Sequence, residues 1–110
     1  MDDAILPLHA VPKQQVTEYL GRRGMTSDVV EWKYFDESFN RGRERGYVWR
    51  RDGELQGFIG LIPWSVRRSD ERIDMVWGCD WSVADPNISK GMGLVLATHS
   101  MSLQDRKTHV

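Results

Sequence analysis

Cysteine is almost missing from this chain. Cys79 is the only one in 110 residues, so no disulfide can close within it and no cluster of thiolate metal ligands can be assembled. A lone thiol in an apolar-rich run reads first as a small buried hydrophobe in a reducing compartment. Long hydrophobic runs are missing as well: no apolar stretch approaches the roughly 20 residues that cross a bilayer. The first residues carry Asp2 and Asp3 where a signal peptide would carry basic side chains. A soluble, cytoplasmic chain with no membrane partner is therefore expected. Charge of one sign is absent too, because 15 Lys and Arg stand against 16 Asp and Glu and leave a net charge of −1. That balance gives no field to attract polyanions. His9, His99 and His109 lack metal-ligand spacing, so no metal is expected. Ser100 lies in no Gly-x-Ser-x-Gly elbow, and hydrolase chemistry is set aside with it.

What the chain does have is an ordered change of period. Pro12 at a first-turn position, then Val16, Tyr19 and Leu20 at helical spacing with Gly21 and Gly24 beyond, predicts a short amphipathic helix over about residues 12–22. Ser27 can cap a second helix that carries Val29, Val30 and Trp32 and ends before Asn40. From Gly46 the period becomes two. Asp52-Gly53 is a strong two-residue hairpin turn, and Leu55 to Val66 is a long aromatic and β-branched run. A second polar turn at Ser69-Asp70-Glu71 leads into a third strand over Arg72 to Ala84. Strict alternation puts Ile73, Met75, Trp77, Cys79, Trp81 and Val83 on one face of that strand, and Asp74, Val76, Gly78, Asp80, Ser82 and Ala84 on the other. The expected fold is α+β in a single domain over residues 1–110: two N-terminal helices, a three-stranded antiparallel meander and a C-terminal helix.

The chemistry concentrates where that third strand ends. After Ser82 to Asp85 the run breaks at Pro86, crosses a turn containing Ser89, Lys90, Gly91, Met92 and Gly93, and resumes as an apolar helix from Leu94. Glycines bring no Cβ to hold a ligand off the backbone, and a helix starting beside them points free N–H groups and its positive dipole end into the turn. Such a turn is a cradle for an anion, a phosphate above all. It is not the dinucleotide fingerprint, whose third glycine would fall at Leu96. Nor is it a P-loop, because Lys90 precedes Gly91 instead of following it.

The turn resembles the pyrophosphate loop of the GNAT family of N-acetyltransferases. In that family the fourth strand runs into a Val-x-Pro-like break and an Arg/Gln-x-x-Gly-x-Gly/Ala loop. Two upstream segments, Glu31 to Asp36 (EWKYFD) and Gly46 to Pro63 (GYVWRRDGELQGFIGLIP), are similar to one branch of the same family, in which a short helix leads into two strands joined by an Asp-Gly turn. The likeness covers roughly residues 13–103 and corresponds to the family's N-terminal half. Ile88 stands where the family has Arg or Gln, and Lys90 is the cation at hand. The resemblance implies an acyl-CoA cofactor, acetyl-CoA or another, held at Trp81, Val83, Ser89, Lys90, Gly91, Met92, Gly93 and Leu94. It implies direct transfer to an amine, small molecule or peptide, with Asp80 or a water accepting the proton. Asp74 is a second carboxylate on the same predicted strand face, and for both the plain alternative is a solvated sheet surface. The tyrosine that protonates the thiolate in that family lies on a helix outside the matched half, so CoA binding is expected ahead of turnover.

A rival reading comes from a different class. A sheet ending at the third strand has a long apolar edge, a known route to pairing with another chain. Five tryptophans, Trp32, Trp49, Trp64, Trp77 and Trp81, supply aromatic area for a pocket or an interface as well as for a core. Three accounts stay open: a fragment or half-domain of an acetyltransferase, a homodimer whose halves complete one sheet, and a small non-catalytic α+β binding or assembly module. Arginines cluster at residues 41–45, 50–51 and 67–68, but interleaved acids cancel them, and no nucleic-acid partner is expected.

Overall fold

The hairpin expected at Asp52-Gly53 anchors the fold. In a computed structural model, which describes residues 3–40, 42–85 and 91–102, both turn residues have positive φ, 52° and 85°. That is the mirror-image turn whose twist matches the strands it joins. It links β2 (Gly46–Arg51) to β3 (Glu54–Arg68), and a second tight turn at Ser69-Asp70 links β3 to β4 (Glu71–Val83); both pairings are antiparallel.

Among the described residues the sheet has four strands, not three. Residues Asp3–Pro7 form β1, paired antiparallel with β2 from Asp3 opposite Arg51 to Pro7 opposite Tyr47, so the order is β1-β2-β3-β4. Five residues are too few to display a period, and Pro7 falls at the strand's end, where a proline is tolerated. A short 3-10 turn (Leu8–Ala10) then leads into α1 (Lys13–Gly21), as expected.

The second helix departs further from expectation. Helix α2 spans only Ser27–Val30, with Thr26 and not Ser27 at its cap, and it widens into a π-helical turn over Glu31–Phe35. Asp36 is extended, and α3 (Glu37–Asn40) follows. The Asp36 carboxylate explains the break: it accepts the Ser38 N–H at 3.0 Å and the Ser38 hydroxyl at 2.6 Å, a local turn that competes with helix continuation.

Alternation along β2 and β3 feeds two cores. On one face Val48 and Phe58 meet Val16, Tyr19 and Leu20 of α1 with Val30 and Tyr34, and Phe58 lies edge-on to the Tyr34 ring at 5.1 Å. On the other, α4 (Met92–Ser102) seats Leu96 among Tyr47, Trp49, Ile59, Leu61 and Val76. Burial on both faces is why residues 55–62 read as a nearly continuous apolar run. Each side chain so buried is worth about 1.5–3 kcal/mol.

Two glycines of β3 let these layers close. Leu96 descends onto Gly57 on one face, where a Cβ would stand 2.8 Å from Leu96 Cδ1, and Tyr34 lies on Gly60 on the other, where a Cβ would stand 2.8 Å from Tyr34 Cε1 and collide with the hydroxyl. Neither neighbour is a loose side-chain end. Replacing Gly60 by alanine should therefore cost about 1–3 kcal/mol in urea unfolding, as overpacking does, and adding Tyr34→Ala should make the two losses clearly non-additive. Additive losses would show that Tyr34 does not depend on Gly60.

Candidate functional site

The pairing of β3 with β4 slips by one residue near the end of β4. Phe58 is opposite Ser82 and Gly60 is opposite Cys79, so Ile59 alone faces both Asp80 and Trp81. Asp80 takes φ of 52°, a left-handed conformation that Asp tolerates better than most residues. This is a β-bulge, and a bulge re-aims side chains. Strict alternation had set Asp80 opposite Cys79; instead both reach the Tyr34 hydroxyl, on the face covered by α1 and the π-helical turn. Ser82 is on that face too, 3.0 Å from the Tyr19 hydroxyl.

The helical side meets the bulge with an irregularity of its own. Within the π-helical turn, consecutive residues Lys33 and Tyr34 both bond the same oxygen: Lys33 Nζ lies 2.6 Å from Asp80 Oδ2, and the Tyr34 hydroxyl donates to it as well. The Asp80 side chain is 26% exposed and that of Lys33 18%, so this pair is only partly screened by solvent. Burial alone would raise the Asp80 carboxyl, but the bonds from Lys33 and Tyr34 outweigh it and hold it below the ordinary value. Burial, reinforced by Asp80 and Cys79, pushes the Tyr34 hydroxyl far up. Burial also raises the half-buried Cys79 thiol, which disfavours its thiolate. Asp74 contrasts with Asp80: it is exposed and bonded by Arg72 Nε at 2.9 Å, on a solvated surface.

Beyond the bulge, a small cavity of about 190 Å³ is bounded by Asp80, Trp81 and Ser82 of β4 and by Leu20, Arg23 and Met25 at the end of α1. Arg23 closes it, with its guanidinium 4.9 Å above the Tyr19 ring and one nitrogen donating to the Val83 carbonyl. Trp81 is exposed beside it, as are Trp32, Trp64 and Trp77; Trp49 is the tryptophan of the core.

The remaining candidates divide between the loop and α4. Ser89 and Lys90, with the rest of residues 86–90, lie outside the described residues. Gly91 has φ of 78° and open space where a Cβ would stand, and its carbonyl accepts the Val95 N–H at 3.0 Å. Met92 opens α4 and packs on the Leu96 cluster, Gly93 is the next helical residue, and Leu94 is exposed. Asp80 and α4 therefore lie on opposite faces of the sheet, meeting only around the end of β4.

Lys33, Tyr34 and Arg23 were not singled out for chemistry by sequence reasoning. Lys33 and Tyr34 lie inside the EWKYFD segment, but only the bulge brings Asp80 to them, and a bulge leaves no mark in an alternating pattern. Among the described residues no group of His, Cys, Asp and Glu could hold a metal ion, and no helix is long and apolar enough to cross a membrane. The chain matches no protein-family model, no curated protein and no solved structure.

The depressed Asp80 carboxyl has a defined pH signature. Its ordinary value is 3.8, so its contribution is present in full above that pH and is lost as pH falls through the lower folded value. Asp80→Asn should lower stability near neutrality by about 1–3 kcal/mol, and the gap from the parent should shrink as unfolding is measured at increasingly acid pH. A gap that stays constant into acid would rule out the charged Asp80 as its source.

Proposed function

We propose that this chain binds an acyl-CoA across the end of β4, with the turn at Gly91 and the first turn of α4 receiving the pyrophosphate and β4 receiving the acyl-bearing arm. The observation that carries this reading is the place of β4. Among the described residues it is the fourth strand and an edge, it is interrupted by a bulge, and it runs toward a glycine that precedes a helix. What supports the reading is this order alone: the GNAT resemblance implies a strand that enters a pyrophosphate loop, and β4 is the strand that precedes Gly91 and α4.

The physical parts fit the ligand. By helix geometry the N–H groups of Met92, Gly93 and Leu94 have no acceptor inside α4, and the dipole there favours an anion. An edge strand offers backbone groups to an extended arm such as pantetheine. In this reading transfer to an amine is direct: the new amide bond replaces the thioester C–S bond, CoA leaves as its thiolate, and the amine proton passes to water instead of Asp80, because a carboxyl held low is a weak base. Asp80 holds the bulge, and Trp81 and Val83 flank the acyl group.

Calorimetry with acetyl-CoA tests the reading. Leu94→Glu places a carboxylate in the first turn of α4, where it favours the helix but repels a phosphate. Acetyl-CoA should bind the parent and bind this variant roughly tenfold more weakly, a loss of about 1.4 kcal/mol, with thermal stability kept or raised. No heat with the parent, or equal affinity in the variant, would overturn it.

A second reading draws on the same edge. Among the described residues β4 has no partner on its outer side, and Trp64, Trp77 and Trp81 are exposed on or beside it. This favours a non-catalytic assembly module that pairs β4 with β4 of a second copy. Sedimentation should then report a dimer that acetyl-CoA does not dissociate, whereas a monomer, or a dimer undone by acetyl-CoA, speaks against it.

A further inference from the structure

A larger hollow on the helix-covered side plays no part in the reading above. It is a cavity of about 510 Å³, within the range that holds a small molecule. Leu8, Tyr34 and Phe35 give it an apolar and aromatic wall, and Glu37 and Arg43 reach it from α3 and from the segment leading into β2.

Its other charged groups are already engaged in structure. Glu44 Oε1 accepts the Leu8 N–H at 2.9 Å and the Arg45 N–H at 3.2 Å, and its Oε2 lies 2.5 Å from His9 Nδ1. Arg45 is buried, with its Nε donating to the Leu61 carbonyl at 2.7 Å and its guanidinium 5.6 Å from the centre of the Tyr34 ring. Glu37 and Arg43 differ: among the described residues neither side chain has an ion pair or a hydrogen bond. One carboxylate and one guanidinium therefore open onto a single cavity beside an aromatic wall.

We infer that this cavity binds an α-amino acid with an apolar side chain. The zwitterionic head meets both charges at once: its carboxylate takes the Arg43 guanidinium, which can grip it with two parallel N–H bonds, and its ammonium takes Glu37. The side chain of the ligand lies against Leu8, Tyr34 and Phe35. A simple amine or a simple acid satisfies one of the two charges and leaves the other as it stands in the free protein. None of the residues used lies on β4 or α4, so this site stands or falls apart from the acyl-CoA reading.

Titration of the full chain, followed by backbone amide resonances, tests the inference with three probes: L-phenylalanine, phenethylamine and 3-phenylpropanoate. L-Phenylalanine should shift the amides of Leu8, Arg43, Glu44 and Arg45 saturably, and each half-ligand should bind roughly tenfold more weakly. Arg43→Gln should reduce L-phenylalanine to the level of phenethylamine, and Glu37→Gln should reduce it to that of 3-phenylpropanoate. Glu37 is exposed and Arg43 partly so, and resonances elsewhere report whether each variant keeps its fold. Absence of saturable shifts, equal affinity for the three probes, or binding unchanged by both substitutions would overturn the site. Acetyl-CoA binding is read separately through Leu94→Glu, so the failure of one reading leaves the other standing.

Discussion

Tyr34 is the contact on which the rest of this structure depends. Its ring fills the space left by the missing side chain of Gly60, its edge meets Phe58, and its hydroxyl ends on Asp80 and beside Cys79. A hydroxyl buried this far must keep its partners, since an unsatisfied buried group costs about 1–3 kcal/mol. That requirement fixes the π-helical turn on one side and the bulge on the other. Both irregularities would be costs in isolation. Together they bring Lys33, Tyr34, Cys79 and Asp80 to one point at which the charged and polar groups satisfy one another.

The regular parts of the fold were legible in the sequence because their signals are local. Pro12 and the spacing of Val16, Tyr19 and Leu20 define α1, and Asp52-Gly53 fixes a hairpin whose register follows from the turn. Three features were not legible, each for its own reason. Strand β1 is too short to show a period, and its pairing is with residues 40 to 48 positions away. The second helix carries a continuous helical pattern, while Asp36 diverts the backbone through bonds to Ser38 that periodicity does not register. The bulge at Asp80 inverts the facing of everything beyond it, so an alternation that holds from Ile73 to Cys79 places Asp80 on the wrong side.

The candidate site shows the same division. The turn at Gly91 and the start of α4 could be proposed from glycines and a strand-to-helix transition, both of which are local; Gly91 has a positive φ, and the rest of that turn lies outside the described residues. The chemistry of Asp80 could not be read, because its partners come from a helix 47 positions earlier in the case of Lys33. A carboxylate on a strand invites the role of base; a carboxylate bonded by an ammonium and a phenol on one oxygen does not fill it. The same two bonds that hold the bulge in place keep its proton affinity low.

This coupling limits what evolution or design can do at the end of β4. A stronger base there needs Asp80 relieved of Lys33, but removing that ammonium leaves a half-buried carboxylate with only the Tyr34 hydroxyl and the Cys79 thiol beside it. Its affinity for a proton would then rise because burial is offset less, and the bulge would lose a contact that favours its left-handed φ. Basicity and bulge geometry are thus opposed at one residue. A binding role, in which the bulge shapes the edge and Asp80 stays charged, uses the arrangement as it stands; an acid-base role would have to dismantle it.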